Sequence, residues 1–185
     1  MKARDFRKAA WGKLSGNWAT IVIAYLLFGV ILSASSFTFV GELVLAGPLM
    51  LGFSMMTLNL VRGNKVSIEN LFDGFKNFVQ SLVLYLLNAV FVFLWSLLFV
   101  IPGIIAAYRY AMSYYILADN PNMDANEARK ASIEMMNGHK WQLFCLHLSF
   151  IGWILLCFLT FGILVFWVEP YIETANAEFY ESIKK

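Results

Sequence analysis

Charge is what this chain has least of. Asp, Glu, Lys and Arg make up 14% of its residues and hydrophobic types 60%, where soluble domains run at about 25% charged and about 45–50% apolar. A chain of 185 residues has too little interior to hide that much apolar surface, which excludes a soluble globular domain. The solvent for most of the chain is lipid. Mean hydropathy is +0.67, and the length suggests a single domain, 1–185. Cysteine is almost missing. Cys145 and Cys157 fall in one apolar segment, where twelve residues of helix hold them roughly 18 Å apart, too far for a bridge.

Motifs of catalysis are missing as well. There is no nucleophile elbow, paired-His motif, glycine-rich phosphate loop or assembled Ser/His/Asp set, so no enzymatic activity is expected. His139 and His147 lack neighbouring cysteines or carboxylates at metal spacing, so neither a metal nor a cofactor is expected. The net charge of +2 is too small to imply nucleic acid.

What is present is asymmetry. Lys2, Arg4, Arg7, Lys8 and Lys13 crowd the N-terminus against a single Asp5. Phe6, Ala10 and Leu14 recur at i, i+4 spacing there, which predicts an interfacial helix lying on anionic phospholipid headgroups. The apolar run that follows is long for a signal peptide and is followed by more hydrophobic segments, so a retained anchor is expected.

Spans are predicted at about 18–33, 37–60, 79–101, 103–118, 141–161 and 163–179, with a kink at Gly47-Pro48. The linker carrying Arg62, Lys65 and Lys76 repeats Leu71, Phe72, Phe75 and Phe78 at helical spacing and reads as a second interfacial helix. Between the fourth and fifth spans, Asp124 and Glu127 form a capping-box start and Gly138 a stop. Ala128, Ala131, Met135 and Met136 give that helix an apolar stripe to rest on the membrane or on neighbouring spans.

Basic loops stay cytoplasmic, which discriminates among threadings. Four spans leave ten Lys and Arg inside and four outside; five leave eleven inside, with Lys184 and Lys185 outside. Six spans in three hairpins turn at Ser33–Ser36, Pro102-Gly103 and 160–162. They place thirteen of the fourteen basic residues inside. The expected fold is therefore an all-α polytopic transmembrane bundle of six spans, with interfacial amphipathic helices and both termini cytoplasmic.

The fourteenth basic residue, Arg109, then lies within lipid. Arg109 and Glu169 each stand about 10 Å below their outer turns in this threading, and a lone charge there costs at least ~2.5 kcal/mol. A pair facing the bundle interior is cheaper. The expectation is that Arg109 and Glu169 pair and pin the second hairpin to the third, either as a clamp or as part of a polar site with Tyr108 and Tyr171. Tyrosines at such spacing more often anchor and pack than bind.

Several stretches resemble one family. They are Leu71-Phe72-Asp73-Gly74-Phe75, Ile101-Pro102-Gly103-Ile104-Ile105, Tyr114-Tyr115-Ile116-Leu117-Ala118-Asp119, Met135-Met136-Asn137-Gly138, Leu148-Ser149-Phe150-Ile151-Gly152-Trp153 and Pro170-Tyr171 with Phe179-Tyr180. Together they resemble the bacterial integral-membrane family called domain of unknown function 975, found mainly in Gram-positive bacteria. More distantly, the chain is similar to the non-catalytic membrane region attached to some glycerophosphodiester phosphodiesterases. The resemblance implies a plasma-membrane helical bundle and carries no catalytic residues over. Two functions are expected to compete. One is binding or transport of a lipid or small solute at the intramembrane polar site. The other is a scaffold or accessory subunit docking a membrane or cytoplasmic protein partner through the cytoplasmic helices.

Overall fold

The computed structural model describes residues 2–35 and 39–184, and among them the chain is all-helical with no strand. The order is α1 (Ala3–Leu14), α2 (Trp18–Ser35), α3 (Phe39–Val61), a 3-10 helix (Ile68–Asn77), α4 (Phe78–Leu98), α5 (Val100–Tyr110), α6 (Ser113–Asp119), α7 (Ala125–Met135), α8 (Lys140–Leu148), α9 (Ile151–Leu159) and α10 (Val165–Ile183). Four stretches among the described residues are long and apolar enough to cross a membrane: Trp18–Ser35, Gly41–Val61, Ile68–Leu97 and Lys140–Leu159. They are compatible with a membrane protein.

One of the four is the axis of the fold. In Gly41–Val61, 72% of the span is buried within the protein, against 17%, 11% and 22% in the others. The outer spans turn Phe93, Phe158 and Leu159 outward, as lipid-facing helices do, while α3 supplies the core. Small residues let its neighbours close in. A Cβ on Gly47 would meet the Ser81 carbonyl oxygen at 2.5 Å, and one on Gly52 would meet that of Leu71 at 1.9 Å. The helix runs through Pro48, whose carbonyl oxygen would lie 2.0 Å from a Cβ on Gly74 of the 3-10 helix.

Both predicted interfacial helices pack part of their apolar face on protein, while Trp11 and Phe72 stay exposed. The 3-10 helix buries Leu71 and Gly74 on α3. In α1 the predicted stripe Phe6, Ala10 and Leu14 is buried, but α10 and α8 cover it. Phe6 meets Phe179 edge to face at 5.5 Å. An apolar stripe gains much the same free energy from protein as from lipid, so the pattern names the face and not its partner.

Two turns also shift. α4 ends at Leu98 and Phe99 is extended, so the chain turns before Pro102-Gly103 and not at it. Pro102 enters the first turn of α5, where its missing N–H costs no hydrogen bond. A Cβ on Gly103 would sit 2.1 Å from Ser96 Oγ, which keeps α4 and α5 close. The segments predicted as unbroken at 103–118 and 141–161 are each interrupted, at Ala111-Met112 and Ser149-Phe150. A serine hydroxyl satisfies a freed carbonyl at each break: Ser113 donates to Tyr110 and Ser149 to Leu146, both at 2.6 Å.

Other expectations are met. The turn at 160–162 is present, with Phe161 and Gly162 at φ 51° and 85°. α7 starts on the predicted capping box, Asp124 with Glu127, and chain reversal follows at Gly138, φ 83°. At the predicted Ser33–Ser36 turn, α2 continues through Ser35, and Ser36 lies outside the described residues.

Candidate functional site

α10 carries Glu169, Glu173 and Asn176 at i, i+4 and i+7, the spacing of a single helix face. All three line a cavity of about 770 Å³. Tyr25 and Phe28 of α2 wall it on one side, Phe53 and Ser54 of α3 behind, and Asn88, Ala89 and Phe93 of α4 opposite; Tyr110, Tyr114 and Tyr115 close it from α5 and α6. Glu169 also lines a second cavity of about 410 Å³, otherwise lined by Ile154, Cys157, Phe158, Phe161, Gly162, Val165 and Val168.

A hydrogen-bonded chain crosses the polar end. The Tyr108 hydroxyl lies 3.2 Å from His147 Nδ1, and His147 Nε2 lies 2.9 Å from Asn176 Oδ1. One turn earlier on α10, Glu173 Oε2 accepts from the Tyr115 hydroxyl at 2.8 Å. A neutral imidazole with its proton on Nε2 satisfies the three-residue chain: Tyr108 donates to it and it donates to Asn176.

No Lys or Arg lines the cavity among the described residues. Two carboxylates at i, i+4 repel by about 0.2–0.5 kcal/mol on an exposed helix, and low-dielectric surroundings strengthen the repulsion. The expected pair of Arg109 with Glu169 is not formed. The ion pairs among the described residues are Arg62–Asp119, Arg62–Glu181, Lys76–Asp73 and Lys184–Asp119. Arg109 closes α5 beside α7, its carbonyl accepting from Ser132 Oγ at 2.8 Å, and its Nε is buried without a partner. The depth match fails because the turn came early. Arg109 stands nine residues into α5 and Glu169 four into α10, about 14 Å against about 6 Å along their helices.

The other predicted site residues divide. Tyr108 joins the polar chain through His147. Tyr171 does not; it is the hub of a ring cluster, 4.9 Å from Phe150, 5.4 Å from Trp11 and 6.2 Å from Trp153. Its hydroxyl donates to the Arg7 carbonyl at 3.0 Å, which ties α1 to α10, and the Arg7 guanidinium reaches the Ser149 carbonyl. Tyr110, Tyr114 and Tyr115, which the sequence also sets around the site, line the cavity, while the site roles of His147, Glu173 and Asn176 are not visible in the sequence reading. The i, i+4, i+7 spacing of polar residues after Gly162 was the available signal.

A second polar cluster ties α3, α6 and α10 together. Arg62 bridges Asp119 and Glu181, and Tyr180 and Lys184 donate to Asp119 at 2.8 and 2.6 Å. Burial pushes the Asp119 carboxyl up, but hydrogen bonds from Lys184, Tyr180 and Arg62 outweigh it and hold the group below its ordinary range. Arg129 is placed otherwise, its guanidinium 4.1 Å over the Phe91 ring. Among the described residues no group of three His, Cys, Asp or Glu could hold a metal ion.

Fold and site together define an all-helical protein whose core helix and three outward-facing apolar helices enclose a carboxylate-lined cavity. The chain matches the family described as protein of unknown function (DUF975) over residues 1–105 and 97–185, and it belongs to that family. No curated protein and no solved structure matches it.

Proposed function

We propose that this is an integral plasma-membrane protein that binds or transports a lipid or small solute in the cavity around Glu169 and Glu173. The observation that carries the reading is the cavity itself: about 770 Å³, within the usual range of ligand sites, apolar on most of its wall with a few convergent polar groups. The proposed topology has six spans in three hairpins and both termini cytoplasmic, with α5–α6 and α10 as the two spans beyond the four strongest. The one-sided distribution of basic residues supports the same threading. A reporter active only outside the membrane, fused after Lys185, is then inactive.

The scaffold reading draws less support. Its docking element was the helix after Asp124, but α7 buries Ala125, Ala128 and Ser132 against α4, α5 and α6, and its apolar face is already occupied. Native mass spectrometry of the detergent-extracted protein tests the binding reading. The wild type is expected to retain a lipid or solute adduct that Ala89→Trp, which fills the cavity, loses. No adduct, or the same adduct on both proteins, overturns it.

A further inference from the structure

We infer that the occupant of this cavity is a cationic amphiphile, an ammonium group bearing N–H donors on an apolar chain. The inference rests on the cavity being a binding site, as proposed above, and adds the class of ligand.

Charge gives the first reason. Glu169 and Glu173 face one space with no Lys or Arg along it among the described residues. His147, the remaining group able to carry positive charge, is satisfied as a neutral imidazole by Tyr108 and Asn176. No Lys or Arg therefore supplies a counter-charge, and a ligand that supplies one relieves the repulsion between the two carboxylates.

Hydrogen bonding gives the second. Asn88 lines the same cavity and donates its amide to Ser113 Oγ at 3.0 Å, while its Oδ1 is buried with no partner. That unmet oxygen is an acceptor, which an N–H-bearing cation can satisfy. The aromatic group of Tyr25, Phe28 and Phe53, with ring centroids 5.7 to 6.1 Å apart, adds π faces of the kind that attract cations.

Shape gives the third. Glu169 is the residue shared by this cavity and the second one of about 410 Å³, whose other lining residues are uncharged. A molecule with its nitrogen at Glu169 can lay a hydrocarbon chain along Ile154, Phe158, Val165 and Val168, so a charged head and an apolar chain find room on one ligand.

Equilibrium binding of radiolabelled dodecylamine to the purified full-length protein in maltoside micelles tests this, with dodecanol and dodecyl phosphate as competitors. Dodecylamine is expected to compete about tenfold better than either. Glu169→Gln should abolish that preference and Glu169→Asp should restore it, which separates charge from misfolding. If dodecanol or dodecyl phosphate competes as well as dodecylamine, the cation inference is overturned while the binding-site reading stands. If none of the three binds saturably, both are overturned.

Discussion

Glu169 and Glu173 stand one helical turn apart on α10 and face the same cavity, with no Lys or Arg beside them among the described residues. Two acids so placed weaken the fold through their mutual repulsion.

The polar chain from Tyr108 through His147 ends on Asn176. Asn176→Ala removes the acceptor of His147, leaving the half-buried imidazole short of a partner. A loss of about 1–3 kcal/mol is expected, read by denaturant titration in mixed micelles. Asn176→Asp is expected to be worse, because it adds a third carboxylate in place of a donor.

Arg109 and Glu169 act independently on this structure. Arg109→Gln and Glu169→Gln, alone and together, should give stability changes that sum to within about 0.5 kcal/mol. A coupling energy well above that would restore the ion pair that the sequence suggested and the structure does not form.

Close packing around α3 should tolerate no added methyl. Gly52→Ala and Gly74→Ala place a Cβ at 1.9 and 2.0 Å from backbone oxygens, which no rotamer change relieves. Each is expected to cost about 3 kcal/mol or more and to lower the yield of folded protein. Gly152→Ala, which meets nothing within 4 Å, should be neutral by the same thermal-melt measurement.

The Asp119 cluster makes stability depend on pH. A carboxyl held below its unfolded value of 3.8 stabilises the fold above that value and loses the contribution as pH falls through the folded pKa. Asp119→Asn should therefore be less stable than wild type at neutral pH. The gap should narrow as pH is lowered past about 4. A gap that stays constant across that range would contradict the role given to the Lys184, Tyr180 and Arg62 hydrogen bonds.

Much of this was legible in residue order, because helix faces and turns are local. The buried stripe of α1, the cap at Asp124 and the turn at Gly162 follow from spacing alone. What was not legible is pairing across long separations. Arg62 meets Asp119 and Glu181 over 57 and 119 residues, and His147 meets Asn176 over 29; no periodicity encodes such contacts. Arg109 shows the same limit from the other side. Depth along a helix can be counted from sequence, but a turn misplaced by three residues also rotates the side chain to another face. The stripe of α1 was read correctly and is covered by α8 and α10; of the stripe predicted on the 3-10 helix, Leu71 is buried and Phe72 exposed.

The central claim is that the cavity at Glu169 holds a ligand, and a crystal structure from a lipidic phase with a chain-brominated alkylammonium addresses it most directly. The account predicts an anomalous bromine peak in the cavity lined by Ile154, Phe158 and Val165, with the ammonium beside Glu169. Bromine found only on the outer apolar surface, with the cavity between α2, α4 and α10 empty, would contradict it.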